Sequence, residues 1–213
     1  MQRTRILIID DHPVVRRGVA ATLGDLPDWE VCGELSSGRE ALDAVSRTRS
    51  DIVVMDVSMP DLNGLEATRQ ILAAHPQVQV LILTMHESEQ LVRDVLASGA
   101  RGYLLKTDAG NELIHALQAL REHRMYFTTK VADAVLRGYL EGGPAADPSP
   151  LTPREREIVQ LIAEGKPNKE VAAILHITIK TVETHRAHIM NKLGLHSVAD
   201  LVRYAVRNKL TEC

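Results

Sequence analysis

Three runs in the first half of the chain, Ile6-Leu7-Ile8-Ile9, Ile52-Val53-Val54-Met55 and Val80-Leu81-Ile82-Leu83, are apolar at every position and rich in β-branched residues. A strand with one wet face alternates apolar and polar residues, so these must be covered on both faces, as parallel strands are between two layers of helix. Taken to their polar ends they read as strands over Ile6 to Asp10, Ile52 to Asp56 and Val80 to Thr84, with Val31 to Glu34 and Gly102 to Leu105 as two more. Amphipathic stretches lie between them, at Gly38 to Arg47, Leu65 to Ala74 and Leu91 to Ala97. Leu113, Ile114, Leu117 and Leu120 then mark a last buried helical stripe. Five strand–helix units in about 120 residues predict an α/β domain, a doubly wound five-stranded parallel sheet of flavodoxin-like order.

Composition sets the outer bounds. With 213 residues, 45% of them hydrophobic, the chain fits one large domain or two small ones. No apolar run approaches a membrane span, and Met1-Gln2-Arg3-Thr4-Arg5 leads into the first strand without a signal-peptide pattern, so the expectation is a cytoplasmic protein with no membrane partner. Cys32 and Cys213 lack metal-ligand spacing and make no disulfide framework. Residues 151–213 carry ten Lys/Arg against seven Asp/Glu, and residues 1–150 carry fifteen against twenty-one. That asymmetry suits two modules with different partners, although charge alone allows ordinary surface variation.

After Tyr126 the pattern changes. Thr129 to Leu140 has room for a further helix, and Glu141 to Pro150 packs three prolines and two glycines into a linker-like stretch. No strand pattern follows. Thr152, Pro153 and Glu155 supply an N-cap, a first-position proline and a capping-box partner, and Ser197 with Asp200 repeats the spacing. Helices are expected near Pro153 to Glu164, Lys169 to Leu175, Ile179 to Leu193 and Val198 to Asn208, a small all-α four-helix module. The predicted organisation is a first domain over 1–125, a linker over 126–150 and a second domain over 151–213.

The strand ends carry the chemistry. Asp10 and Asp11 end the first strand, Asp56 the third, Thr84 the fourth and Lys106 the fifth, and in a parallel sheet all these ends share one rim. Crowded carboxylates repel one another unless a hard cation sits among them, and oxygen donors with room for waters suit Mg²⁺. Lys106 offers a charge and Thr84 a hydroxyl to phosphoryl oxygens. Any one of these residues alone is what a strand commonly shows where it meets water. Asp10-Asp11, Asp56, Met59-Pro60, Gly64, Thr84, Tyr103 and Lys106 together resemble the receiver domain of a two-component response regulator. The resemblance implies that Asp56 accepts a phosphoryl group from a histidine kinase. It also implies that Asp11, Asp56 and the Ser58 backbone carbonyl hold Mg²⁺, with Asp10 assisting through water, and that Thr84 and Tyr103 move as a switch. For Tyr103 the residue itself equally allows a half-buried aromatic with its hydroxyl in water. Two departures stand out. Lys106 is followed by Thr107 and not proline, where a cis bond would cost about 3–4 kcal/mol, and the bulky Met85 follows the switch threonine.

In the second module Val182, Ile189 and Leu193 form an inward stripe on the helix over Ile179 to Leu193, leaving Lys180, Glu183, Thr184, Ala187, His188 and Asn191 on the opposite face. A short polar face flanked by Arg186 and Lys192 suits a major groove, although a solvated face looks similar. Leu151 to Glu157, Asn168 to Ala172 and Lys180 to Arg186 resemble the LuxR-type helix-turn-helix, and the whole chain resembles the NarL/FixJ-family response regulators. This implies a phosphorylation-dependent, DNA-binding transcriptional regulator. Glu183, Thr184 and Ala187 would face bases, and Lys180, Thr181, His185, Arg186, His188 and Lys192 the DNA backbone. The last helix would pair two copies, giving a homodimer on double-stranded DNA when phosphorylated. The receiver would act only on its own aspartyl phosphate and would not be an enzyme. A Mg²⁺-dependent phosphatase with an outside substrate, or a gated protein-binding module, are the rival readings of the same residues.

Overall fold

The computed structural model describes residues 3–128 and 150–211. The possible helix over residues 129–140, the linker through residue 149, and Cys213 lie outside them. Contacts divide the chain into two compact units, one built on the sheet and one on the last four helices.

In the first unit β1 (Thr4–Ile9), β2 (Trp29–Leu35), β3 (Ile52–Asp56), β4 (Gln79–Thr84) and β5 (Gly102–Leu105) alternate with α1 (Pro13–Gly24), α2 (Gly38–Thr48), α3 (Gly64–Ala74), α4 (Glu89–Ala97) and α5 (Ala109–Arg121). The sheet is entirely parallel, in the order β2-β1-β3-β4-β5-β6. Period-two alternation splits the strand residues between two cores. Ile6, Ile8, Ile52, Val54, Leu81, Leu83 and Leu104 pack with α1 and α5 through Val19, Leu23, Leu113, Leu117 and Leu120. Leu7, Ile9, Val53, Met55, Val80, Ile82 and Tyr103, equally buried, belong to the other face. Covering on both faces is what the uninterrupted apolar strands require. Three helices start on side-chain caps: Ser37 accepts from the Arg39 N–H, Asn63 from Glu66 and Ser88 from Leu91.

One element was not foreseen. Tyr126–Phe127 forms β6, a sixth strand on the sheet edge that pairs Gly102 with Tyr126 and Tyr103 with Phe127. Two residues are too few for periodicity to register, so the sequence pattern alone assigns them to the linker. The Tyr126 hydroxyl donates to Glu112 Oε2 of α5, fixing the strand to the unit.

The second unit comprises α6 (Pro153–Ala163), α7 (Asn168–Ile174), α8 (Ile179–Leu193) and α9 (Val198–Arg207). Both expected capping boxes form, Thr152 with Glu155 and Ser197 with Asp200. Ile158, Leu161, Val171, Val182, Ile189, Leu201 and Ala205 make its core. The turn between α7 and α8 carries His176 at φ 53°, a left-handed conformation unusual for a residue other than glycine. Gly194 at φ 64° caps α8. No helix among the described residues is long and apolar enough to cross a membrane.

Candidate functional site

Strand β1 lies between β2 and β3, so the order reverses there and leaves a crevice at the carboxyl ends of β1 and β3. That crevice is where open α/β sheets bind ligands. Ile9 pairs with Met55, and Asp10 and Asp56 are the next residues along each strand. Both carboxylates are buried, each 2% exposed. Lys106, the first residue beyond β5, places Nζ 2.8 Å from Asp10 Oδ2 and 2.8 Å from Asp56 Oδ2. Burial pushes the Lys106 ammonium down, but its contacts with Asp10 and Asp56 outweigh that and hold it above its usual value. Desolvation dominates at Asp56 and the Asp10 charge adds to it, so against the pull of Lys106 its pKa rises from 3.8 to about 6.

The β1–α1 loop is held by its own backbone. Asp10 Oδ1 accepts from the His12 N–H at 2.8 Å, and the Asp10 carbonyl accepts from the Arg16 guanidinium. Asp10 Oδ2 is paired with the Lys106 ammonium, and Asp11 Oδ1 lies 2.6 Å from His12 Nδ1. Asp10, Asp11, His12 and Asp56 each offer a ligand atom, and those atoms lie within 4.8 Å of one another. Three carboxylates sharing one lysine fit a divalent cation, which would supply the missing charge at several oxygens at once. His12 is the member that sequence reasoning missed. Ser58 sits half-buried two residues past Asp56.

Gly64 opens α3, and its N–H donates to the Val57 carbonyl at 2.9 Å. A Cβ there would fall 1.8 Å from the Asp56 carbonyl oxygen and 2.9 Å from the Met55 side chain. The glycine therefore lets the helix start directly against the backbone that presents Asp56.

Thr84 and Tyr103 are both fully buried. Thr84 Oγ1 accepts from the His86 N–H at 3.2 Å, and the Tyr103 hydroxyl donates to the His86 carbonyl at 2.5 Å. Tyr103 thus points inward with its hydroxyl on a backbone acceptor, which disposes of a water-facing hydroxyl. Burial pushes its phenol up to about 12. No peptide bond among the described residues is cis, so Lys106–Thr107 is trans. Met85 is exposed, 61%, beside Thr84.

On α8, Val182 and Ile189 are fully buried and Leu193 partly so, while Lys180, Glu183, Thr184, Ala187, His188 and Asn191 are exposed. Thr181, His185 and Arg186 are half-buried. The Thr178 hydroxyl caps α8 by accepting from the Thr181 N–H at 3.1 Å. Lys192, expected at the DNA backbone, makes an ion pair within the unit. Its Nζ donates to Glu155 Oε2 at 2.8 Å, and that carboxylate also closes the capping box of α6 by accepting from the Thr152 N–H at 2.8 Å. Burial raises the Glu155 pKa, but Lys192 and Thr152 outweigh it and bring it below the ordinary value. Arg154 donates to the Leu175 carbonyl at 2.7 Å, tying α6 to the end of α7.

Two family models match the chain: the response regulator receiver domain over residues 6–118 and the luxR family of bacterial regulatory proteins over residues 149–205. The oxygen regulatory protein NreC of Staphylococcus epidermidis is 39% identical, over 98% of this chain and 99% of its own. The transcriptional regulatory protein MctR of Rhizobium johnstonii is 37% identical, over 96% and 94%. Among solved structures, RcsB from Salmonella enterica serovar Typhimurium, bound to promoter rprA in the presence of phosphomimetic BeF₃⁻, aligns with a TM-score of 0.61. It is 27% identical and the alignment covers 95% of this chain and 98% of that one.

Proposed function

The chain belongs to the NarL/FixJ-type response regulators, a receiver joined to a LuxR-type DNA-binding domain, and we propose that Asp56 is its phosphoacceptor and α8 its DNA-reading helix. The observation that carries this is the Asp10–Lys106–Asp56 triad at the strand-order reversal. It gives a buried carboxylate a fixed cation, with the carboxylates of Asp10 and Asp11 close beside it.

In the proposed reaction an Asp56 carboxylate oxygen attacks the phosphorus of a phosphohistidine on a histidine kinase. The P–N bond breaks and the imidazole leaves. Lys106 is placed to receive a phosphoryl oxygen once Asp56 is esterified. Asp11, Asp56 and the Ser58 carbonyl, assisted by Asp10, are the residues that would hold Mg²⁺. That ion would offset charge between the attacking carboxylate and the incoming phosphoryl group. The added charge, about −1.5 to −2, recruits donors. Thr84, at the end of β4, is the proposed switch hydroxyl, and turning it towards the phosphoryl group would break the hydrogen bond it now accepts from the His86 N–H. Since the carbonyl of the same residue receives Tyr103, the peptide of His86 links the two switch side chains.

Binding to double-stranded DNA and pairing into a homodimer are the proposed outputs. RcsB was solved on a promoter with a phosphomimetic, which supports the same sequence of events here. Lys180, Thr181, His185, Arg186 and His188 are the proposed backbone contacts, with Glu183, Thr184 and Ala187 facing bases.

The test is intact mass and gel shift together. Acetyl phosphate with Mg²⁺ should add one phosphoryl mass to the wild type and raise promoter affinity at least about tenfold, a coupling of about 1.4 kcal/mol. Asp56→Asn should do neither. Phosphoryl addition to Asp56→Asn, or phosphate-dependent binding that survives it, would overturn the assignment.

A further inference from the structure

The motif that opens the second unit, Thr152-Pro153-Arg154-Glu155, does more than start a helix. Its capping box and first-position proline fix the first turn of α6, so the two charged side chains leave from a rigid base. Arg154 is bound at both terminal nitrogens. One donates to Glu157 Oε2 at 3.0 Å, a buried carboxylate, and the other to the Leu175 carbonyl at 2.7 Å. Leu175 is the C-cap of α7, where helical carbonyls run out of backbone donors. The N–H groups at that end serve earlier carbonyls, Leu175 on Val171 at 3.0 Å, His176 on Ala173 at 3.3 Å and Ile177 on Ala172 at 3.0 Å. His176 follows in its left-handed conformation, and Thr178, two residues on, caps α8. The guanidinium therefore grips the chain where it bends from α7 into α8.

Resting on the reading of α8 as the DNA-reading helix, we propose that Arg154 is its positioning residue. By fixing the Leu175 carbonyl against α6 it sets the angle at which α8 leaves the turn, and so which base edges Glu183, Thr184 and Ala187 meet. A helix C-terminus carries partial negative charge, and a guanidinium there gains a charge-assisted hydrogen bond and a dipole contact together. The planar fork matters, because two nitrogens held by Glu157 and Leu175 leave the group little freedom to swing. Glu155, the adjacent residue, holds Lys192 in the last turn of α8 at 2.8 Å. Consecutive side chains of one helical turn thus hold the reading helix at the bend before it and near its far end. Base readout needs short side chains at hydrogen-bond distance from groove edges, whereas phosphate contacts carry no sequence information. Losing Arg154 therefore removes discrimination between sequences before it removes binding.

Gel shift with the full chain tests this on two probes, a duplex selected by the wild type from a random pool and a scrambled duplex of the same composition. Arg154→Met should bind the selected duplex at least about tenfold more weakly and the scrambled one within about twofold of wild type, with an unchanged salt slope on the scrambled duplex. Destabilisation alone gives a different pattern. Where only the folded fraction binds, both affinities fall by one factor and their ratio stands. Ile158→Val, a substitution in the core of the same unit, supplies that control and should keep the wild-type ratio. Arg154→Lys separates position from charge, since an ammonium offers no planar fork to two partners, and its ratio should stay within about twofold of Arg154→Met. An unchanged ratio in Arg154→Met, or Arg154→Lys binding both duplexes as wild type does, would overturn the assignment, the latter by reducing Arg154 to a charge. If the wild type selects no sequence from the pool, the reading of α8 fails along with it.

Discussion

Asp56 is expensive to ionise in the metal-free protein, and that gives a measurable sign. Its folded pKa, about 6, lies above the 3.8 of an unfolded aspartate. Whatever stability the protonated form brings is fully present below the unfolded value and is lost as pH rises through 6. By pH 7.5 the ionised group costs on the order of 3 kcal/mol. Metal-free Asp56→Asn should therefore resist urea better than wild type at pH 7.5, with the gap closing as pH falls towards 4. The chain's one tryptophan, Trp29, is buried in the same unit and reports the transition. A gap that widens towards acid would contradict the assignment. Gly64→Ala is the second test at this scale. No rotamer relieves a Cβ set against backbone, so the substitution should cost at least about 2 kcal/mol, as overpacking does, and slow phosphorylation by acetyl phosphate about tenfold or more, because the displaced atom is Asp56's own carbonyl. Wild-type rates on a phosphate-affinity gel would refute it. The sequence made Asp10, Asp56 and Lys106 legible because polar residues at the ends of apolar strands have only one rim to occupy. It hid the reason for Gly64, which depends on where α3 begins in space, and it hid His12, because helix starts often carry a polar residue there.

At the scale of elements, α8 is legible in the sequence as a helix with one buried stripe, yet one of its cations has a partner that periodicity cannot reveal. Lys192 is held by Glu155, thirty-seven residues away. Lys180→Ala should weaken binding to all DNA sequences and make the salt slope shallower by about one. Lys192→Met should instead lower the unfolding midpoint, because it leaves a buried carboxylate without its cation. Since Lys192 itself is 29% exposed, the cost should fall near 1–2 kcal/mol, below the 3–5 of a fully buried pair. Its salt slope should match wild type; a slope reduced as in Lys180→Ala would return Lys192 to the DNA backbone. The turn before α8 offers an independent check. His176 adopts a conformation that costs a side-chain-bearing residue about 1 kcal/mol, so His176→Gly should raise stability by no more than about 0.6 kcal/mol after the added freedom of the unfolded chain, about 0.4–1 kcal/mol, is deducted. Capping boxes were legible because both partners lie within four residues, whereas β6 escaped because two residues carry no period.

For the whole molecule the two cores argue for two folding units. Residues 150–213 expressed alone should give a cooperative thermal transition and bind promoter DNA regardless of acetyl phosphate. A molten unit without one would mean that it depends on the receiver. The parallel sheet has a further consequence for how the acidic site comes into being. Neighbouring parallel strands are joined only by long crossovers, so the site is assembled from segments far apart in the chain, and Lys106 reaches Asp56 across fifty residues. During synthesis the carboxylates of the β1 and β3 ends emerge first, and their counter-charge follows only when β5 has left the ribosome and docked. Non-local closure of this kind is slow. A chain cut short before residue 106 would carry the aspartate without the lysine that pairs with it, so the closed Lys106–Asp56 pair doubles as a certificate that β5 has docked.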